Sequence, residues 1–539
     1  MQFKFSAKAG FAAVASCLAM VASTSASAEQ VTLRVKGGGF EVSGELKSFD
    51  GARYVIDTPV LGRMTLDAAR FDCVGAACLT LGRSESAALN PAVGLPAGSA
   101  NSVVISGSNT IGNQLMPALI EGYAAAAKLS VVRVAGADPL DLEFRLADAQ
   151  KRPIGQVTVR RHGSSTAFKD LEKQAAQIGM SSRPIKPEEV QKLAAAGRGD
   201  LRTPASEHVL GLDGLVVVVS PENPAVSISL DNVAKIFAGE IKDWSELGLP
   251  AGKINTYAPT PDSGTYDTFE SLVMKPRNAA LQEATKRTED HAQQSDWVAA
   301  DPLGIGVVGI AYQRNAKMLN IESSCGLITR PTVFSMKTEE YPLTRRLYLY
   351  TSPNSTSTSA RNLVNFALSP AAQAIVRRTD FVDQSPEVMP FKDQGARIAY
   401  AMNAPSEDFD LNMMRELLTD ITPAERLTTT LHFETNATRL DAKATLDVAR
   451  LAQVFGEEAY RNKRILIIGF ADSRGGFDIN LQLSRGRAEA VRRALFAVQP
   501  SAEFKRRVTA KGYSELAPVN CNDNDVGREF NRRVEIWIY

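Results

Sequence analysis

The sequence predicts a multidomain α/β protein. Three observations carry that prediction: a β-rich stretch near the N-terminus, a long middle region in which short apolar strands alternate with helical patterns, and a second compact strand–helix pattern after residue 426. The chain has 539 residues, 44% hydrophobic and 22% charged, which is ordinary globular composition. That length suits about three or four domains.

The N-terminus comes first. Lys4 and Lys8 precede an apolar run at 9–22, and Ala26-Ser27-Ala28 is a small-x-small site. Residues 1–28 therefore read as a secretory signal cut after Ala28. Val14-Ala15-Ser16-Cys17 resembles a lipobox, but apolar sequence continues past Cys17 into the Ala-x-Ala site, which favours the cleaved signal. Residues 29–78 read as a small β domain. Its strands are Val31–Val35, Phe40–Leu46, Tyr54–Asp57 and Met64–Leu66, with turns at Gly37-Gly38-Gly39, Asp50-Gly51 and Gly62. Residues 79–100, rich in Ala, Ser, Gly and Pro, read as a linker.

Residues 101–395 hold the strands Val103–Ile105, Val131–Val134, Leu215–Val219 and Ile254–Tyr257, with helical stretches at Asn113–Lys128 and Ala360–Val376. The alternation predicts a largely parallel sheet. Residues 396–426 read as a connector with one amphipathic stretch, Leu411–Leu418. Residues 427–539 form the last domain: a strand at Thr428–Phe433, a helix over 442–456, a strand at Ile465–Gly469, a helix over 480–497 and a final strand at Val534–Tyr539. The alternating, aromatic end could belong to an outer-membrane barrel, but the eight or more strands that a barrel requires are missing from the pattern.

Charge and composition exclude several functions. Lys plus Arg is 61 against 60 for Asp plus Glu, a formal net charge of +1, so the chain is no general nucleic-acid binder. Only the N-terminal run approaches a membrane span, which excludes a multi-span protein. His162, His208, His291 and His432 show no ligand spacing, so neither a metal site nor a cofactor is expected. After signal cleavage Cys73, Cys78, Cys325 and Cys521 remain. Cys73 and Cys78 bracket a short flexible turn and are expected to pair in an oxidising compartment. Whether Cys325 and Cys521 meet is open.

The middle region repeats one device. Gly107-Ser108-Asn109-Thr110-Ile111-Gly112, Gly163-Ser164-Ser165-Thr166 and Asp262-Ser263-Gly264-Thr265 each precede a helix. Each offers backbone N–H groups and hydroxyls at the positive end of a helix dipole, a combination that suits an oxyanion. One such loop is ordinary capping. Three in one α/β region point to a shared ligand.

With these loops in place, residues 103–395 resemble the periplasmic phosphate-binding protein family, the receptors of phosphate ABC transporters. The matching pieces are Ile105–Gly112, His162–Leu171, Ile178–Ile185, Leu212–Asn223, Ile236–Gly248, Asp262–Phe269 and Gly304–Gly309. The resemblance implies a two-lobed type II periplasmic-binding-protein fold that closes over an anion, and an ABC permease as partner. Its ligand contacts would be Thr110 and Ile111 through the backbone, Ser164 or Ser165, Ser182, Ser263, Gly264 and Thr265. Two positions depart from the family. Pro259 stands where an Arg often neutralises the phosphate, and Ser182 stands where some receptors carry an Asp that accepts the ligand's proton. Arg183 is a candidate replacement for the missing cation. Gly304-Ile-Gly306-Val-Val-Gly309 matches a dinucleotide fingerprint in letters only, without the flanking strand, helix and acid, so it reads as a packed hinge or strand. No G-x-S-x-G elbow or triad arrangement is present, so no enzyme is expected.

Residues 427–539 resemble the OmpA-like peptidoglycan-binding domain. The carrying residues are Leu431-His432-Phe433, Gly469-Phe470-Ala471-Asp472, Asn480-Leu481-Gln482-Leu483-Ser484-Arg485-Gly486-Arg487, and Asn531-Arg532-Arg533-Val534-Glu535. The family's usual Gly-His-Thr-Asp is here Gly-Phe-Ala-Asp. Asp472 and Arg487 hold the positions that would pair with the ammonium and carboxylate of a diaminopimelate side chain. Arg532 and Arg533 read as packing and surface charge. The combined expectation is a Gram-negative periplasmic receptor for phosphate or a related oxyanion, anchored non-covalently to peptidoglycan. The alternatives are a structural envelope protein with a ligand-free receptor fold, and a phosphate-ester hydrolase.

Overall fold

The computed structural model describes residues 30–35, 41–49, 53–58, 62–68, 71–74, 102–261, 263–403 and 410–539. The expected signal peptide, the linker at 79–100, Cys17, Cys78 and Asp262 lie outside the described residues. Among the described residues, no helix is long and apolar enough to cross a membrane.

The N-terminal unit is a five-stranded antiparallel sheet. Its order is Gly62–Asp67, Arg53–Thr58, Glu41–Phe49, Gln30–Val35, Phe71–Val74. Alternation along the strands turns Val31, Leu33, Val42 and Ile56 to one buried face. That face shares its hydrophobic cluster with Val448, Leu451, Val491 and Leu495 of the C-terminal domain. The first domain in sequence thus packs on the last, with Glu41–Phe49 against the helix Phe477–Val498.

The middle domain is built on one long sheet. Two strands, Glu207–Val219 and Thr344–Tyr350, pair antiparallel at its centre, and each runs from one lobe to the other. On one side lie Ile178–Ser181, Ser102–Gly107, Pro153–Arg160, Asp141–Ala147 and Ser130–Ala135. On the other lie Gly304–Gly309, Asn255–Pro259 and Lys286–Thr288. The sheet is mixed rather than largely parallel. Two hairpins through 130–160 and the two central strands supply the antiparallel pairs, and the Asp141–Ala147 strand between those hairpins is not apparent from apolar runs. Three hydrophobic clusters follow: Ile105, Ile120, Phe144 and Leu349 in the first lobe, with Phe168, Leu193 and Tyr350 in a smaller one beside them, and Val216, Val218, Phe237, Phe269 and Val307 in the second lobe. Each fully buried aliphatic or aromatic side chain of this kind contributes about 1.5–3 kcal/mol. Gly304–Gly309 is a buried strand, with no role as a phosphate loop. The helix expected over 360–376 is two helices, Thr358–Leu368 and Pro370–Arg378. Ser369 ends one and caps the next, because Pro370 lacks the N–H needed to continue the first.

Residues 396–426 are not a free connector. Val388–Pro390 already pairs with Glu425–His432 in the C-terminal sheet. Helices Gly395–Asn403 and Leu411–Ile421 place Ile398, Met414, Leu417 and Ile421 against Leu466, Ile468, Phe470 and Trp537. Their apolar faces need a partner, and the back of this sheet supplies it. The sheet order is 388–390, 425–432, 533–538, 465–469, 508–512.

The middle and C-terminal domains are joined covalently as well as by the chain. Cys325 and Cys521 form a disulfide, with Cα atoms 5.8 Å apart. Beside it Ser324 hydrogen-bonds to Asp523. Ion pairs continue the interface: Arg346, held by Glu339 at 2.6 Å within the middle domain, reaches the exposed Asp441 at 3.0 Å, and the buried Arg426 pairs with Glu340. His432 Nε2 lies 3.1 Å from the Thr338 carbonyl oxygen. Cys73 is disulfide-bonded.

Candidate functional site

Two of the polar loops follow the neighbouring strands Ser102–Gly107 and Pro153–Arg160, and the third follows Asn255–Pro259 in the other lobe. Gly107 ends its strand at φ +138°, where a Cβ would run into the Met180 carbonyl oxygen, so this turn requires glycine. It delivers Thr110 and the buried Ile111, whose N–H reaches Ser108 Oγ at 3.5 Å. Gly163, at φ +89°, precedes the helix Ser164–Glu172. Ser182 follows the strand Ile178–Ser181. From the second lobe, Ser263 caps the helix Gly264–Phe269 by accepting from Thr265 N at 3.2 Å.

The lobes meet at these residues. A Cβ on Gly264 would clash with Thr110 Oγ1 and lie 3.3 Å from Ser182 Oγ, so only glycine permits this approach. Ser164 Oγ accepts from Ser182 N at 3.1 Å, and the two hydroxyls are 3.2 Å apart. Thr110, Ser164, Ser182, Gly264 and Thr265 thus form one group. Ser165 turns outward and accepts from Arg183 Nη2 at 3.3 Å.

The cation that sequence reading missed is Arg345. Its Nη2 donates to Thr110 Oγ1 at 3.2 Å in one lobe and to Thr265 Oγ1 at 3.5 Å in the other. Its Nη1 donates to the Gly264 carbonyl and to Thr268 Oγ1. Asp213 fixes it through Nε at 2.9 Å and Nη2 at 2.5 Å. The two face each other across the central strands. The signal was present in Arg345 and Arg346, two arginines in the strand Thr344–Tyr350, but the partners of Arg345 lie about 80 to 235 residues away in sequence. Arg183, the expected replacement cation, is instead committed to Glu189 by bonds of 2.8 and 2.7 Å and stacks over Phe168.

Two more titratable groups border the cleft. His291 Nε2 is 3.2 Å from Ser263 Oγ, and its ring lies against Tyr312. Burial holds its pKa below the ordinary value, with Asp213 opposing and Arg345 reinforcing. Burial raises the Asp267 pKa, countered first by Arg345. His162 lies apart from this group. It sits beside Asp138 and Asp141, with Nε2 2.9 Å from Asp141 Oδ1, and the three ligand atoms lie within 4.8 Å of one another. Arg161 bonds to the Pro139 and Leu140 carbonyls at 2.9 Å in that same loop, a cation beside the carboxylates.

In the C-terminal domain Asp472 and Arg487 are near each other but not joined. Asp472 pairs with Arg532 at 2.8 Å, so Arg532 is its counter-ion rather than surface charge. Arg487 is fully buried and donates to three carbonyls: Ala437 at 3.0 Å, Phe470 at 3.0 Å and Glu434 at 3.3 Å. Burial pulls its pKa down to about 10, against the attraction of Asp472. Arg533 is buried against Glu535 at 2.7 Å. A groove of about 430 Å³ in this domain is lined by Met413, Glu416, Arg485, Lys511 and Tyr513, and neither Asp472 nor Arg487 lines it.

Comparison with known proteins agrees with both halves. Residues 101–371 match the PBP superfamily domain, and residues 432–532 match the OmpA family. The chain belongs to the PBP superfamily and carries an OmpA family domain at its C-terminal side. Among its relatives, the phosphate-binding protein PstS of Borreliella burgdorferi is 29% identical over 234 residues, 42% of this chain and 79% of that protein. Protein SphX of Synechococcus elongatus is 30% identical over 238 residues, 42% of this chain and 68% of that protein. A solved ABC-type phosphate transport receptor from Vibrio cholerae aligns with a TM-score of 0.40 at 20% identity, covering 52% of this chain and 99% of that one.

Proposed function

We propose that the chain is a Gram-negative periplasmic receptor that captures phosphate or a related oxyanion between its lobes while its C-terminal domain holds it to peptidoglycan. The observation that carries this reading is the convergence of Thr110, Ser164, Ser182, Gly264 and Thr265 on Arg345, drawn from three loops and both lobes. Hydroxyls supply neutral donors, and Arg345 supplies the charge that Pro259 cannot. Asp213 holds the guanidinium in place, so its charge is set behind the hydroxyls before an anion arrives. Serine and threonine hydroxyls alone would leave a dianion without a counter-charge.

Captured anion would pass to an ABC permease, as the phosphate-receptor relatives suggest. Wall anchoring would use Asp472 and Arg487 on the diaminopimelate stem peptide. Arg487 keeps N–H donors beyond its three carbonyl bonds. Asp472 would exchange or share Arg532 for the ligand's ammonium. The receptor reading is tested by calorimetry of the full chain with inorganic phosphate. Wild type should bind, and Arg345→Ala should lose at least about tenfold in affinity, the value of one charge-assisted contact. No heat of binding from either protein, both folded, would reject the receptor reading.

A further inference from the structure

Two short basic runs stand in the C-terminal domain, Arg461-Asn462-Lys463-Arg464 and Lys505-Arg506-Arg507. The sheet brings them together. Ile465 pairs with Val508 in parallel register, so Arg464 and Arg507 enter the two strands side by side. The helix Phe477–Val498 joins these strands and returns to the same end, where the Phe496 and Phe504 rings lie 6.3 Å apart. It adds Arg492 and Arg493. Residues 457–464 and 489–507 thus hold eight Lys and Arg against four Glu, in a chain whose formal net charge is only +1.

The fold uses few of these charges. Arg507 donates to the Tyr460 and Lys463 carbonyls at 2.8 and 2.9 Å and ties the two runs together. Glu489 takes Arg492 at 2.9 Å, with Arg493 at 3.9 Å. Among the described residues Arg461, Lys463, Arg464, Lys505 and Arg506 form no ion pair, and all but Lys463 are exposed. Glu457, Glu458 and Glu503 border them, exposed and paired with none of them, and Glu425 and Glu457 lie toward Tyr460.

Aromatic rings sit among the cations. Lys505 lies 5.7 Å and Arg492 5.6 Å from the centre of the Phe496 ring, and Arg464 lies 4.4 Å over Tyr539. Both rings are half-buried. Cations beside half-buried rings suit a bilayer headgroup layer, where the charges meet lipid phosphates and the rings lie at the boundary. With a cation already over one face, neither ring offers an open platform for a stacked base. Asp472 follows the far end of the strand Ile465–Gly469, about 16 Å along it from Arg464.

We propose that this end of the C-terminal domain is a docking surface for an anionic phospholipid bilayer. The surface is separate from the interlobe cleft and from Asp472 and Arg487, so the proposal stands apart from the readings of both. It gives the domain two working ends, one toward a membrane and one carrying Asp472.

The test is vesicle sedimentation of residues 29–539, which lack the apolar run 9–22. One set of vesicles is phosphatidylcholine alone, and the other carries about 30% phosphatidylglycerol. Wild type should bind the anionic set at least about tenfold better, and about 0.5 M NaCl should release it. Arg461→Gln with Lys505→Gln and Arg506→Gln should weaken that binding about a hundredfold, at about fivefold per cation. Lys169→Gln with Lys173→Gln and Lys192→Gln makes the same charge change on exposed lysines of the middle domain and should bind as wild type does. All six positions are exposed, and circular dichroism checks the fold of each variant. Wild type that does not distinguish the two vesicles overturns the proposal. Equal loss in both triple variants also overturns it, because binding would then follow overall charge. If wild type ignores the anionic vesicles but is retained on heparin through Arg461, Lys505 and Arg506, the partner is a soluble polyanion and the bilayer assignment is wrong.

Discussion

The cleft and the Asp472–Arg487 region of the C-terminal domain both place an arginine next to polar groups, but they distribute charge in opposite ways. In the cleft the charged pair Arg345–Asp213 sits behind a ring of neutral hydroxyls, and the hydroxyls face across the lobes. In the C-terminal domain the charged groups themselves are the expected ligands, and the fold has given them internal partners: Arg532 for Asp472, three carbonyls for Arg487. A site with its charge held behind the contact surface can open and close without exposing an unpaired ion. A site whose ions are the contact surface has to trade an internal partner for the ligand.

The sharpest way to break this comparison is to unlink the two regions. The Cys325–Cys521 disulfide closes a loop of 196 residues. In the chain-entropy account such a bridge stabilises by about 5 kcal/mol, more than any single change in either site. Cys325→Ser with Cys521→Ser should lower the urea midpoint of the full chain markedly, and mass measurement after alkylation confirms that the bridge is absent. An unchanged midpoint would show that the interface ion pairs alone hold the domains.

Next in size is the support of the cleft. Asp213→Ala leaves Arg345 buried without its counter-ion, which should cost about 3–5 kcal/mol of stability. Arg345→Met with Asp213→Leu removes both charges and should cost much less. Both proteins should lose phosphate binding. If Asp213→Ala folds as well as wild type and binds phosphate equally, the pair is not the support of the site.

How much of this was legible in the sequence follows from the range of the interactions. Helices such as Ala442–Gly456 and strands such as Ile465–Gly469 fall where local periodicity predicts, because local apolar spacing is enough to define them. The capping loops were legible for the same reason, since Ser, Thr and Gly before a helix act on the next few residues. Arg345 was not, because its function is defined by Thr110, Asp213 and Gly264, each on a different element. Residues 396–426 misled for a related reason: their polar, acidic composition is that of an outer helical face, and the sheet that receives their apolar side was not visible from local pattern. The N-terminal sheet likewise gave no sign that its inner face would join the core of the last domain.

A smaller effect tests the C-terminal half of the proposal. Asp472→Asn and Arg487→Ala should each weaken retention on purified sacculi by about tenfold to a hundredfold, one charge-assisted contact apiece. Arg532→Ala is the discriminating variant. It frees Asp472 of its internal partner, so retention should hold or improve if Asp472 meets an ammonium. Retention lost equally in all three variants, with folding intact, would assign these residues to structure.

The smallest effect is in pH, and it separates the regions by their histidines. Burial holds His291 in the cleft and His432 at the domain interface below the ordinary 6.5. His291 also feels Asp213 and Asp290 as attractive to its proton and Arg345 as repulsive. His432 feels Glu339 as attractive and Arg346 and Lys443 as repulsive. A base with a lowered folded pKa binds its proton more readily in the unfolded chain. Stability is therefore fully present above 6.5 and is lost as pH falls from 6.5 through the folded value. Glu339 acts on a different window. Arg346 and Lys443 outweigh its burial and hold its pKa far below the ordinary 4.5, so its share is present above 4.5 and is lost at lower pH. Urea midpoints of the full chain between pH 8 and 5 should thus decline below 6.5 before the carboxylates titrate. His432→Asn should flatten that decline with or without phosphate. His291→Gln should flatten the residual slope, and saturating phosphate should change its share, because Ser263 links His291 to the ligand. A wild-type midpoint that rises as pH falls through 6.5 would mean that one of these histidines is held charged in the folded protein, with Asp213 or Glu339 as the partner that stabilises it.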